Sequence, residues 1–260
     1  MIRFRPPHRA LLAAALGLAL SAGAAAAADG FDLKHMTPQQ KADFGRAVRA
    51  YLFEHPEVLV EAIDKLQARQ AEAQAADDAA LIKANAKAIF DDPTSWVGGN
   101  PDGDVTLVEF MDYRCGYCRK ALPDITRLLK ADGKVRFIVK ELPILTPDSV
   151  VGARYALAVR QVAGDAAYAK AHDALMVLTG PINDAALTRL SGKIGVDFDA
   201  VKTAMAGPEV AHILARNSAL ADRLQINGTP TFVLGDQLLR GYVPYAQLRG
   251  LIAQTRREDG

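Results

Sequence analysis

The most constraining feature of this sequence is a tetrapeptide in a particular setting. Cys115-Gly116-Tyr117-Cys118 follows the apolar run Val105-Thr106-Leu107-Val108-Glu109-Phe110-Met111 and opens a helical pattern carried by Leu122, Ile125, Leu128 and Leu129, with Gly133 to end it. A mostly apolar, β-branched run of this length reads as a central strand. Two cysteines three apart lie on one helical turn and can reach disulfide distance. The first falls at the helix N-terminus, where unpaired N–H groups and the helix dipole favour negative charge. That placement favours a thiolate, so Cys115 is the expected nucleophile. Cys118, one turn further in, is expected to be buried and to resolve a mixed disulfide.

These are the only two cysteines in 260 residues, which excludes a disulfide scaffold. As a structural staple the pair would contribute only about 2 kcal/mol, because the loop it closes is so short. Zinc is disfavoured by the lack of a second C-x-x-C or a nearby H-x₃₋₅-H pair. Copper(I) on the thiolate pair stays open, since soft metals favour thiolates. A strand that ends just before a C-x-x-C at the start of a helix is the thioredoxin-like arrangement, and redox chemistry is its usual use.

The rest of the main domain fits that reading. Gly98-Gly99-Asn100-Pro101-Asp102-Gly103 are turn-formers and, with Asp92-Pro93, mark a boundary that places the domain at residues 91–260. Val135 to Val139 reads as a second strand. Helical periodicity then runs from about Ser149 to Leu224, with breaks expected at Gly180-Pro181, Gly192, Gly195 and Gly207-Pro208. Thr231–Leu234 and Gln237–Arg240 read as a hairpin around Gly235-Asp236, and a last helix covers about Tyr245 to Arg256. Thr229-Pro230 opens the hairpin. A proline there is where such a fold holds a cis bond, and the chain before it would offer backbone hydrogen bonds to an extended substrate. Trp96 is expected to pack near the start of the domain, the histidines to be surface or helix-packing residues, and Arg256-Arg257 to be a solvated end.

The N-terminus reads as an address followed by helices. Arg3, Arg5 and Arg9 precede an apolar stretch from Ala10 to about Leu20, and Ala26-Ala27-Ala28 fits a cleavage site. This is the pattern of a secretory signal peptide over residues 1–28. As an anchor the stretch is short for about 30 Å of hydrocarbon. Removing three arginines shifts the net charge from +1 to −2, so nothing points to nucleic acid. Thr37-Pro38-Gln39-Gln40 offers an N-cap, a proline at the first helical position and a capping-box glutamine. Phe44, Val48, Tyr51 and Leu52 follow at helical spacing. Pro56 breaks the helix, and a second helix carries Leu59, Ile63 and Leu66. From Gln67 to Ala80 no large apolar residue occurs. Residues 29–90 are therefore expected to form a short apolar oligomerisation element and an exposed helical arm, with homo-oligomer contacts over 37–90.

Glu109 through Cys118, the preceding Gly99-Asn100-Pro101 and Gly228-Thr229-Pro230-Thr231-Phe232 resemble the DsbA family of periplasmic thiol–disulfide oxidoreductases. The segment from Tyr51 to Leu66 resembles the N-terminal region of its ScsC-like branch, which is associated with oligomeric disulfide isomerases and copper tolerance. The resemblance implies an α/β thioredoxin fold with a helical domain inserted at about 147–225, preceded by an N-terminal helical arm. It implies Cys115 and Cys118 as the redox disulfide, with Thr229 and Pro230 binding substrate beside Gly116 and Tyr117. It also implies that Glu109 is a buried acid moving the proton of Cys118, for which Lys140 is a candidate partner. Gly116-Tyr117 departs from the Pro-His pair of the strongly oxidising archetype, which suggests a less oxidising couple. The expected function is a periplasmic protein disulfide isomerase or reductase that needs no cofactor. Its expected partners are cysteine-containing protein substrates and a membrane thiol–disulfide electron donor or acceptor. The alternatives are a dithiol oxidase and a copper(I)-binding protein.

Overall fold

The computed structural model describes residues 34–258, so the expected signal peptide lies outside the described residues. The chain divides into two units, at Leu66 and Gln67.

In the first unit, helix α1 spans Pro38–Glu54 and helix α2, Glu57–Phe90, begins. Local signals start α1. The Thr37 hydroxyl accepts from the Gln40 N–H at 3.3 Å, and the Gln40 side chain accepts from the Thr37 N–H at 2.9 Å. The helix stops at His55, ahead of Pro56, and the His55 ring packs on Tyr51. No residue of α1 is buried.

The second unit is built on a five-stranded sheet in the order β1-β3-β2-β4-β5. The strands are β1 Trp96–Gly99, β2 Val105–Met111, β3 Val135–Glu141, β4 Thr231–Leu234 and β5 Gln237–Arg240. Strands β2 and β3 are parallel, with Glu109 opposite Val139, and all other pairs are antiparallel. Their crossover is α3, Gly116–Asp132, which ends at Gly133 in the left-handed conformation. Between β3 and β4 come α4 Pro147–Met176, α5 Asp184–Ile194, α6 Phe198–Ala206 and α7 Pro208–Arg223, and α8 Tyr245–Glu258 closes the chain. This is a thioredoxin fold with a helical insertion.

Strand alternation gives the sheet two apolar faces. Leu107, Met111, Phe137 and Val139 meet Ile125 and Leu128 of α3, Leu248 and Ile252 of α8, and the insertion. Val108, Phe110 and Ile138 meet Leu220 of α7, Leu224 at its cap, and Ile82 and Ile89 of α2. The last turns of α2 thus belong to this core and not to an exposed arm, which moves the boundary expected at residue 91 back into the helix. Asp78 reinforces the point, since both its oxygens accept from Arg240 of β5 at 2.7 and 2.8 Å. The sparse stripe of Ile82 and Ile89 concealed this role.

Four other expectations change. Strand β1 replaces part of the expected turn segment. Its pairing with β3 is through backbone, so Gly98 and Gly99 leave no side-chain signature. Gly99 has φ +67, and a Cβ there would meet the Val135 carbonyl oxygen at 2.4 Å. Gly192 does not break α5; the αL cap falls on Gly195. The unforeseen interruption is Gly164, with φ 80 and ψ −175 inside α4. Arg256 is not a free end, because its half-buried guanidinium binds Asp132 at 2.6 and 2.7 Å and Asp104 at 2.8 and 2.9 Å, while Arg257 is exposed as expected.

Candidate active site

Cys115 is the N-cap of α3, in extended conformation and with no side-chain capping bond of its own. Its N–H donates to the Asp112 carbonyl at 3.0 Å, which fixes the turn out of β2. Cys115 is 5% exposed and Cys118 is fully buried, and both are free thiols. Gly116 and Tyr117 stand between them on the surface. A Cβ on Gly116 would meet nothing, and the Tyr117 side chain is exposed.

The chain before β4 lies against this pair. The Thr229–Pro230 bond is cis, and the Cys115 thiol donates to the Thr229 carbonyl at 3.0 Å. The Pro230 carbonyl accepts from the Gly241 N–H at 2.8 Å, and the Thr231 hydroxyl bonds the Gly228 carbonyl at 2.8 Å, so the loop is held from both sides. A pocket of about 170 Å³ opens beside it, lined by Asn227, Gly228, Thr229, Pro230 and Arg240.

Glu109 sits in the middle of the sheet, between Val139 and Phe232, and is 1% exposed. Burial, and secondarily the charge of Cys115, pushes its carboxyl up to about 8. Its Oε1 and the Thr229 hydroxyl have no hydrogen-bond partner among the described residues. Burial pushes the Cys118 thiol strongly up, with Glu109 and Cys115 adding to the effect. A carboxyl that is half ionised at about pH 8, coupled to a thiol that resists ionisation, can in its ionised form take that thiol's proton.

Lys140 does not pair with Glu109. Glu109 is level with Val139, so the side chain of Lys140 leaves the other face of the sheet. There its Nζ binds Asp92 at 3.2 Å and Ser95 at 2.9 Å.

The sequence reading missed two residues that shape the site. Buried Asp112 accepts from the Arg114 N–H at 2.7 Å and from the N–H groups of Ile144 and Leu145 at 2.9 and 3.1 Å. It thereby ties the cysteine loop to the connection between β3 and α4. Arg119 follows Cys118, and its Nε donates to the Tyr113 carbonyl at 3.0 Å. Asp112 could have been noticed as an acid ending an apolar strand just before a helix; Arg119 carried no signal.

A cysteine pair at a helix N-terminus, facing a cis-proline loop and a buried acid on a thioredoxin sheet, defines a thioredoxin-like oxidoreductase. Comparison with known proteins gives the family: residues 106–253 match the DSBA-like thioredoxin domain, and the chain belongs to that family. Residues 40–73 match the N-terminal domain described as that of the copper resistance protein ScsC. A thioredoxin-like oxidoreductase of Silicibacter pomeroyi is 41% identical, covering 66% of this chain and 97% of that one at a TM-score of 0.62. ScsC of Proteus mirabilis, in a transitional conformation, is 26% identical, covering 86% and 99% at a TM-score of 0.62. Na(+)/H(+) antiporter NhaA 3 of Salinispora tropica is 30% identical over 149 residues, 57% of this chain. The chain spans a quarter or less of the length of the curated relatives it matches.

Proposed function

We propose that this protein is a periplasmic thiol–disulfide oxidoreductase acting on protein disulfides, working as an isomerase or reductase. The observation that carries the reading is the Cys115 thiol 3.0 Å from the Thr229 carbonyl, with Cys118 and Glu109 buried beside it. The Cys115 thiolate attacks one sulfur of a substrate disulfide. The S–S bond breaks, and the other sulfur leaves as a thiolate that takes a proton from water. The substrate is now bound to Cys115 as a mixed disulfide, with Thr229 and Pro230 beside its backbone and Gly116 and Tyr117 beneath it. In isomerisation another substrate thiol attacks, and Cys115 leaves unchanged in oxidation state. In reduction Cys118 gives its proton to Glu109 and attacks Cys115. The second substrate sulfur then leaves, and two electrons have passed to the substrate. A membrane thiol–disulfide donor would re-reduce the Cys115–Cys118 disulfide.

The direction rests on Gly116-Tyr117, which places no charged side chain between the cysteines to stabilise a thiolate. Homo-oligomerisation through residues 37–90 belongs to the same reading. Val48, Tyr51, Leu59, Ile63 and Leu66 are all exposed, and a second copy would cover them and hold a client between two sites. The leader pattern of residues 1–28 supports export. Reduced protein should restore a scrambled-disulfide substrate, and Cys115→Ala should not. Rapid oxidation of dithiol peptides without that recovery would make the chain an oxidase. The mass of Ile63→Asp tests the assembly, and a mass unchanged from the wild type would end that part.

A second reading takes the Cys115–Cys118 pair as a copper(I) site, favoured by two adjacent soft thiols and by the name of the matched N-terminal domain. The donor set fits in softness, though no cluster of three or more ligating side chains occurs among the described residues. Tight one-to-one copper(I) uptake with negligible disulfide exchange would favour it.

A further inference from the structure

A groove of about 850 Å³ runs along α3 from Arg119 to Ala131, and the end of α4 closes its other side with Asp173 and Val177. It takes no part in the exchange steps above, yet it begins beside them. The Arg119 N–H donates to the Cys115 carbonyl at 3.1 Å, so the near end of the groove lies one helical turn from the nucleophile. The Arg119 guanidinium joins the two walls there, reaching the Tyr113 carbonyl at 3.0 Å and the Leu175 carbonyl of α4 at 3.5 Å. From Arg119 to Ala131 the helix rises about 18 Å, the length of about five residues of extended chain.

The groove has an apolar floor and a cationic rim. Leu122 and Pro123 of α3 line it together with Val177, which caps α4 and is 71% exposed. Arg119, Arg127 and Lys130 bring three positive charges against a single acid, Asp173. None of the three forms an ion pair among the described residues, whereas Lys140, Arg240 and Arg256 each do. The Arg127 guanidinium lies over the Tyr245 ring of α8, 4.1 Å from its centre. A guanidinium stacked in this way keeps its in-plane N–H donors for a carboxylate. Arg119 is half-buried, and burial, then the charge of Arg114, lowers it from its ordinary value. An anion arriving in the groove would offset that cost.

We propose that this groove docks an acidic, apolar segment of the client chain next to the disulfide being exchanged. The inference rests on Cys115 being the reacting thiol. Charge complementarity selects the occupant: the rim attracts carboxylates and repels a basic segment, and the apolar floor asks for large apolar side chains. An extended chain turns successive side chains to opposite sides, so a segment that alternates the two kinds lays one set on the floor and the other toward the rim.

The test is single-turnover exchange by the reduced full chain on two disulfide peptides that differ only in a five-residue tail. One tail alternates glutamate and leucine, the other lysine and leucine. The acidic tail should lower the half-saturating concentration by about tenfold relative to the basic one, the scale of two or three exposed ion pairs. The saturating rate should be the same for both, because a docked tail is held equally in the ground and transition states. Arg127→Glu combined with Lys130→Glu changes two exposed side chains and should erase the preference, read as the ratio of the two tails on one protein. Lys130→Glu alone leaves the stack on Tyr245 in place, should shift the ratio part of the way, and serves if the double variant does not fold. Equal half-saturation for the two tails in the wild type, or a preference that survives the charge reversal, would overturn the inference and leave the exchange reading standing. If the tails behave alike and laurate binds the wild type but not the double variant in calorimetry, the groove belongs to a small anionic amphiphile and the inference falls. A wild type that reacts with neither peptide would overturn the exchange reading, and this inference with it.

Discussion

Residues 34–66 and residues 67–258 are both rich in helix, but they obtain it from different sources. In the first segment the signals are local. Thr37 caps α1, Pro38 starts it and Pro56 ends it, yet α1 buries nothing. In the second the signals are shared between distant residues, as in α3, where Ala121, Ile125 and Leu128 are buried against the sheet. A capped amphipathic helix is marginal alone, because most helical stability in proteins comes from packing an apolar face. Local signals thus say where a helix begins and ends, while burial says whether it is held.

Several experiments would break or sharpen this contrast. Truncation should have the largest effect. A chain starting at residue 67 should retain the cooperative unfolding of the thioredoxin unit. One starting at residue 91 loses Ile82 and Ile89, together worth about 3–6 kcal/mol at full burial, as well as the Asp78–Arg240 pair. That is a large part of a domain's usual margin, so calorimetry should find it unfolded or melting far lower. Equal melting of the two truncations would return α2 to the arm entirely.

Point changes along the same helix should divide in the same way. Ile89→Ala leaves a hole in a fully buried site and should cost about 2–5 kcal/mol in denaturant unfolding. Ile63→Ala changes an exposed position and should alter the stability of the thioredoxin unit by less than about 0.5 kcal/mol.

The pH dependence of stability should come from the core. Below its ordinary value of 4.5 Glu109 is protonated whether the chain is folded or unfolded. Between 4.5 and about 8 only the folded chain keeps the proton, so stability falls as pH rises through that window. Glu109→Gln should remove this slope, which approaches about 1.4 kcal/mol per pH unit, and the difference should be read as denaturation midpoints across the window. Parallel curves for the two proteins would mean that Glu109 is hydrated in solution. The smallest effect belongs to Thr37→Ala. It should lower helix content in residues 34–66 by the loss of a cap worth about 1 kcal/mol, seen by circular dichroism, without moving the melting of the thioredoxin unit.

The sequence made legible whatever is encoded over short stretches. The Cys115 motif, the strand before it, the Gly133 cap, the hairpin at Gly235-Asp236 and the Thr229-Pro230 pair each declare themselves within a few residues, and they carry the site. What it hid depends on partners far along the chain. Strand β1 exists because β3 supplies its hydrogen bonds. Lys140 follows the pleat away from Glu109 to Asp92, and Arg256 finds Asp104 and Asp132. Gly164 and Gly192 look alike in the sequence, and only packing decides which one interrupts a helix. The buried bonds from Tyr168 to Glu141 and between Tyr113 and His172 join residues far apart along the chain, and no pattern in the sequence brings them together.

Trp96 is the only tryptophan in the chain. Its ring stacks on Tyr168 with centroids 5.2 Å apart, and its Nε1 donates to the Asp165 carbonyl at 3.2 Å. The protein therefore carries a single tryptophan, set on the edge strand and stacked on buried Tyr168. Excited to the red of tyrosine absorption, its emission reports the packing of β1 on α4, while a helix signal sums over the whole chain, so the two recorded on one sample report different parts of the molecule without a label.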